Sequence, residues 1–433
     1  MSELPVLLVV AIVFALVVVA TMRKVYLGLA AFCGGLAFAF VRGIAPLEAV
    51  RIAVAELLDP DSLLLLALVT AIMLLSAAMK NSGALAAFAR AVETVAPRPR
   101  ASLAITPLLI GTLPMPGGAL LSAPLVDALD ADRLQGADGL SAINYWFRHS
   151  LELFWPLYPA FILTCALSGL ETSRLSLLNL YAPITLFILG QAFVIRGRAL
   201  PPKAPPSSGT GARDVLARLE GFFPLAIVLG LFLLLDALAR AFVSPEAAGE
   251  KAAALLERYL PTLGGVAGAA AYIAIRRGTG CFKGTLTPEI LKLAGIIAGV
   301  RVFAAFLEAG GIATGGAREL AAWNIPPLAV ACLLPLIAGL VTGVGFAYVG
   351  IAFPIVLGLF PVGGDVPREA AVVLAGAFGY AGMMLSPLHV CLVVTAAHFK
   401  SSAGAVILRL ALPLALFLGV AAIYAALLAL AAT

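Results

Sequence analysis

The sequence predicts an all-α polytopic membrane protein, with about ten transmembrane helices plus two re-entrant hairpins arranged in two inverted repeats. Three observations predict it. Of 433 residues, 62% are hydrophobic and 12% charged, and mean hydropathy is +1.07; a soluble domain carries about twice that charge. The apolar residues fall in long runs without the alternation of a membrane β-barrel. Two runs, 102–130 and 328–360, are interrupted by clusters of Pro and Gly, which leaves fragments shorter than the ~20 residues a bilayer demands.

In chain order, Leu4 to Met22 has no preceding basic region and no small-residue cleavage site, so it reads as a retained helix, not a removable signal. Further spans are expected at 25–41, 62–79, 144–167, 176–195, 222–239, 262–275, 288–307, 370–397 and 405–430. The interrupted regions 102–130 and 328–360 read as hairpins that enter and leave on one side. Before each lies a more polar stretch, 81–95 and 311–323, expected to lie in the interface. The loop 196–220 contains PPKAPPSSGTG and has linker composition. It separates a first repeat, 1–195 (hairpin 102–130, broken helix 144–167), from a second, 221–433 (hairpin 328–360, broken helix 370–397).

Lys and Arg residues fix the orientation. With the first span running outside to inside, the inner loops hold twice as many as the outer ones, as expected of a cytoplasmic face. Both termini then lie outside an inner (cytoplasmic) membrane, and the linker is cytoplasmic. Each half has an odd number of crossings, so the second starts from the opposite side. At one constant offset, without gaps, Gly83 matches Gly311, Arg90 matches Arg318, Pro107 matches Pro335 and Gly117 matches Gly345. With three residues inserted, Pro156-Leu157-Tyr158 falls on Pro387-Leu388-His389. The net charge of +5 follows from the basic loops and points to no nucleic acid, and the five cysteines show neither a disulfide framework nor a metal spacing.

The breaks carry the chemistry. A helix that stops inside a membrane leaves bare N–H and C=O groups, tolerated only where they line a cavity or bind something. Pro114, Pro116, Gly117 and Gly118 form one expected tip; Thr342, Gly343 and Gly345 form the other. The second feature is NYWFRHSLELFWPLYP (144–159), which places Arg148, His149 and Glu152 inside an apolar run. Ionisable groups there are costly, at least ~2.5–3.5 kcal/mol for Arg at mid-membrane. Residues 148 and 152 share a helical face and can pair. Two readings stand: a buried pair that joins helices, or Arg148 holding an anionic group while Glu152 or His149 exchanges a proton. Asn144 and Tyr158 are further candidates for the solute site. Ser386 and His389 are their counterparts in the second broken span, with a core histidine bonded to a carbonyl as the alternative for His389. Asp236 and Arg301 read as structural by default, able to pair between helices.

Three segments, PMPGGALLSAP, NYWFRHSLELFWPLYP and MLSPLHVCLVVT, together resemble a family of integral membrane proteins, domain of unknown function 401. That family is grouped with the ion transporter superfamily of citrate, gluconate, dicarboxylate and arsenite carriers. The resemblance covers nearly the whole chain. It implies an elevator-type inverted-repeat fold, usually a homodimer, whose two hairpins and two broken helices form a site that moves against a scaffold. By position, the tips are Pro114 to Gly118 and Thr342 to Gly345, and the helix breaks Trp155 to Tyr158 and Ser386 to His389. The tips lack the paired Ser-Asn-Thr signatures of the sodium-coupled dicarboxylate carriers.

The expected function is secondary active transport of a small organic anion, coupled to protons or Na⁺. Its partners are that solute, the bilayer and a second copy; no cofactor or metal is expected. The competing classes are a channel and an intramembrane enzyme using His149 and Glu152 as acid and base. Against the enzyme, no His-Glu-x-x-His or Gly-x-Ser-x-Gly motif occurs.

Overall fold

A computed structural model describes residues 4–95, 99–113, 118–130, 132–196, 219–243, 249–360 and 366–432. Among them every regular element is helical. The first half holds α1 (Val6–Met22), α2 (Leu27–Val41), α3 (Pro46–Leu58), α4 (Pro60–Asn81), α5 (Ala84–Val95), α6 (Pro99–Gly111), α7 (Ala119–Leu129), α8 (Gly136–His149), α9 (Pro159–Ser168), α10 (Thr172–Leu178) and α11 (Tyr181–Leu189). After 197–218 come α12 (Phe223–Phe242), α13 (Glu250–Arg277), α14 (Pro288–Ala309), α15 (Ala317–Ala322), α16 (Pro327–Thr342), α17 (Gly345–Leu359), α18 (Arg368–Leu385), α19 (Val390–Phe399) and α20 (Ala403–Ala432).

Six stretches among the described residues are helical, long and apolar enough to cross a membrane: 60–81, 172–194, 220–242, 288–309, 368–399 and 403–431. The chain is a multi-pass membrane protein. Six is fewer than the expected ten, and local chemistry explains the difference. The 17-residue α1 and 15-residue α2 reach about 26 and 23 Å at 1.5 Å per residue, short of a ~30 Å hydrocarbon core. The expected span 144–167 is two helices of 14 and 10 residues. The expected span 262–275 is the end of the 28-residue α13, whose start carries Glu250, Lys251, Glu257 and Arg258. Helix α3, which no sequence expectation included, turns Leu47, Val50, Val54 and Leu58 outward.

Proline starts many of these helices, as its fixed φ and missing N–H allow: Pro60, Pro159, Pro288 and Pro327 stand in first turns. The backbones of α16 and α18 touch. A Cβ on Gly339 would strike the Gly379 carbonyl, and one on Gly382 the Leu336 carbonyl. Small residues let membrane helices approach this closely. Around α6–α9 and α16–α19 stand α2, α4, α13 and α14, with α14 packed on both α2 and α17.

Candidate solute site

Helix α8 ends at His149, and the chain then turns through 150–158 before Pro159 starts α9. Backbone bonds Glu152 N to His149 O (3.1 Å), Trp155 N to Leu151 O (2.9 Å) and Tyr158 N to Trp155 O (3.1 Å) shape the turns. Two aromatic side chains moor this break to the end of α6. Trp155 Nε1 donates to Thr112 O at 3.0 Å, and the Tyr158 hydroxyl lies 2.5 Å from Gly111 O and 3.2 Å from Arg148 O. Carbonyls left bare at two helix ends thereby find a donor. Gly111 must be glycine, since a Cβ there would run into the Arg148 carbonyl.

The second break is Ser386–His389, between α18 and α19. Leu388 N donates to Ser386 Oγ at 3.2 Å, and His389 N to Ser386 O at 3.3 Å. Gly343 closes α16 with φ +64°, the left-handed region glycine fills without strain. A Cβ on Gly343 would lie 2.8 Å from His389 N and 2.9 Å from Ser386 Oγ, so this hairpin turn sits directly on the second break.

Between the two breaks lies a cavity of about 420 Å³, lined among others by Arg148, Glu152, His149, His389, Gly343 and Gly345. Arg148 is 5% exposed, and its Nε and Nη1 have no hydrogen-bond partner among the described residues. Its guanidinium covers Gly118, where any Cβ would collide with it. Glu152, 7% exposed, sets its Oε1 against Gly345 at the start of α17. No ion pair joins Arg148 to Glu152 among the described residues. The shared helical face expected from their spacing does not exist, because the helix stops at His149. No carboxylate reaches ion-pair distance of this buried guanidinium among the described residues, so the arrangement is poised for an anion.

His149 and His389 meet with Nε2 atoms 3.2 Å apart. His149 Nδ1 lies 2.8 Å from Tyr145 O; a carbonyl only accepts, so Nδ1 carries the proton and Nε2 is the acceptor. His389 then donates from Nε2, which leaves its Nδ1 bare, and that atom is buried without a partner. Contrary to the spacing argument, the fold also gathers a set that can ligate metal. Ligand atoms of His149, His389 and Cys391 lie within 4.8 Å of one another, a soft donor set suited to Zn²⁺ or Cu⁺. The direct bond between the histidines already occupies both Nε2 atoms, and the Arg148 charge lies beside Cys391, which disfavours a dication.

The profile of a family described as "Protein of unknown function (DUF401)" matches residues 6–429. The chain belongs to the DUF401 family. No curated protein matches it. Among solved structures, this DUF401 fold is similar to that of the Alcanivorax borkumensis YdaH transporter, described as having an unusual topology. Identity is 14%, 89% of each chain is covered and the TM-score is 0.59. It is also similar to Neisseria gonorrhoeae MtrF, of a class of antimetabolite efflux pumps, at 14% identity, with 88% of this chain and 83% of that one covered and a TM-score of 0.50. Likeness at that identity is likeness of fold.

Several residues singled out from sequence lie elsewhere in the DUF401 chain. Pro114, Pro116 and Gly117 fall outside the described residues. Asn144 does not line the cavity: it is wholly buried, and its Nδ2 donates to Thr395 Oγ1 at 3.1 Å, bracing α8 on α19. Thr342 returns its hydroxyl to Ala338 O at 2.7 Å. Ser386 stands behind Gly343 as part of the break. Asp236 pairs with Arg240 at 3.1 Å on its own helix, not with Arg301. The sequence reading missed Cys391, two residues past His389, and the apolar wall of Met73, Leu293, Ile296 and Phe346, which carries no signal beyond hydrophobicity.

Proposed function

We propose that this DUF401 protein is a secondary active transporter of a small organic anion, coupled to protons or Na⁺. The observation that carries the reading is Arg148: a buried cation that lines a cavity and, among the described residues, has no carboxylate at ion-pair distance. Both breaks and the Gly343–Gly345 turn converge on that cavity, as the solute sites of broken-helix carriers do. Glu152 and His149 are the proton-exchanging candidates. Alternating access follows an elevator motion of α6–α9 and α16–α19 against the surrounding helices. Residues 1–195 and 221–433 are the inverted repeats, joined by the cytoplasmic linker 196–220, with ten crossings when the short α1 and α2, the split α8–α9 and α13 are counted with the six long spans. The protein works as a homodimer in the inner membrane with both termini outside. The transporter and the efflux pump whose folds it resembles support the same class.

Counterflow tests the reading. Liposomes holding the purified protein and an unlabelled carboxylate accumulate the labelled one against its gradient, unchanged chemically, and an inward proton or Na⁺ gradient drives net uptake. Flux without counterflow marks a channel, and a chemically altered solute marks an enzyme; either result overturns the proposal.

A further inference from the structure

We infer that the cavity takes a monocarboxylate with an apolar body, aromatic or short aliphatic, in preference to a di- or tricarboxylate. This rests on the transporter reading only in assigning Arg148 to an anion. The charge inventory decides the rest. Among the described lining residues Arg148 is the one buried cation. Lys292 is exposed, one helical turn from the equally exposed Glu289, which also lines the cavity; the two are placed to offset each other in solvent. Glu152 is buried in the same chamber, so a second substrate carboxylate would meet another acidic group there and no second buried cation. Besides the neutral His149, His389, Tyr158 and Cys391, most of the wall is apolar, with Met73, Leu293, Ile296, Val344, Phe346 and Val390 in it. A volume of about 420 Å³ is at the small end of ligand sites, enough for a ring or short chain behind one headgroup. A multiply charged solute would set its second carboxylate against a largely apolar wall, with no second buried cation among the described lining residues to compensate. An apolar body gains from the same wall.

Isothermal titration of the purified full-length protein tests this with phenylacetate, the straight-chain acids from propionate to hexanoate, succinate, citrate and phenylalanine. Phenylacetate should bind, and affinity along the straight-chain series should rise about fourfold per methylene until the cavity fills. Ile296→Asn, which makes the wall polar without touching Arg148, should weaken phenylacetate at least about tenfold and propionate by less, since the shorter chain covers less of the wall. Arg148→Ala should abolish both. Succinate or citrate binding as tightly as phenylacetate, or a flat chain-length series, overturns the inference and leaves the anion-transporter reading standing. Phenylalanine binding in place of phenylacetate also overturns it, since the ammonium would then pair with Glu152. Failure to bind any carboxylate removes both readings.

Discussion

Inward-facing arginines stand at two places in this molecule, and their surroundings are opposite. Between α3, α4, α13 and α14, Arg301 contacts Glu56 at 2.7 Å and Asp61 at 3.1 Å, while Arg258 contacts Asp61 at 2.7 Å. The Tyr259 hydroxyl donates to the same carboxylate at 3.0 Å. Arg258 also donates to Gly169 O at 2.9 Å, so the cluster pins the end of α9 to its neighbours. In the cavity, Arg148 is more deeply buried, and among the described residues no carboxylate lies within ion-pair distance of it. The difference teaches how to tell a frame from a site. Where carboxylates answer every cation, the charge holds helices together. Where the cation is left open beside a chamber, its partner arrives from outside.

The contrast can be broken or sharpened by substitution. Asp61→Ala strips the shared carboxylate from both Arg258 and Arg301 and should cost about 3–5 kcal/mol. That should appear as a large fall in melting temperature or loss of folded yield; a melt like that of a surface variant would show the cluster to be incidental. Tyr158→Phe removes the hydroxyl that serves Gly111 O and Arg148 O and should cost about 1–3 kcal/mol, measured by denaturant or thermal melt, with solute affinity lowered because the break loosens. Thr395→Val deprives Asn144 Nδ2 of its acceptor. It should cost about 1–2 kcal/mol while leaving solute affinity unchanged; a matching fall in affinity would put Asn144 back in the site. Smallest is the stability effect of Arg148→Met, within about 1 kcal/mol of wild type and of either sign, since an unpaired buried charge gives way to an apolar chain of similar length.

How much of this the sequence disclosed depends on range. Helix starts were readable at some first-turn prolines, as at Pro288 and Pro327, because that preference is local, while Pro46 at the start of α3 went unread. The cavity's charged residues could be named because Arg, His and Glu are rare in apolar runs. Their relation could not: pairing Arg148 with Glu152 assumed a helix through 152, and the chain turns after His149, moored by Trp155 and Tyr158 to carbonyls some forty residues earlier. The frame cluster was illegible for the same reason. Arg301 meets partners about 240 residues away, and composition offered Asp236 just as readily. Cys391 looked like a lone thiol until His149 was brought beside it by the contact between α8 and α19. The apolar wall could not be told from any lipid-facing helix, since Leu293 and Ile296 differ from their neighbours only in where α14 points them.

In the proposed transporter, Arg148 is left without a carboxylate so that a solute can supply one. A thermal melt and carboxylate counterflow of Arg148→Met, run side by side, test this. The melt should stay close to wild type and counterflow should be lost, with binding weakened by about 2–5 kcal/mol. Counterflow at the wild-type rate, or a collapse of the fold like that expected for Asp61→Ala, would contradict it.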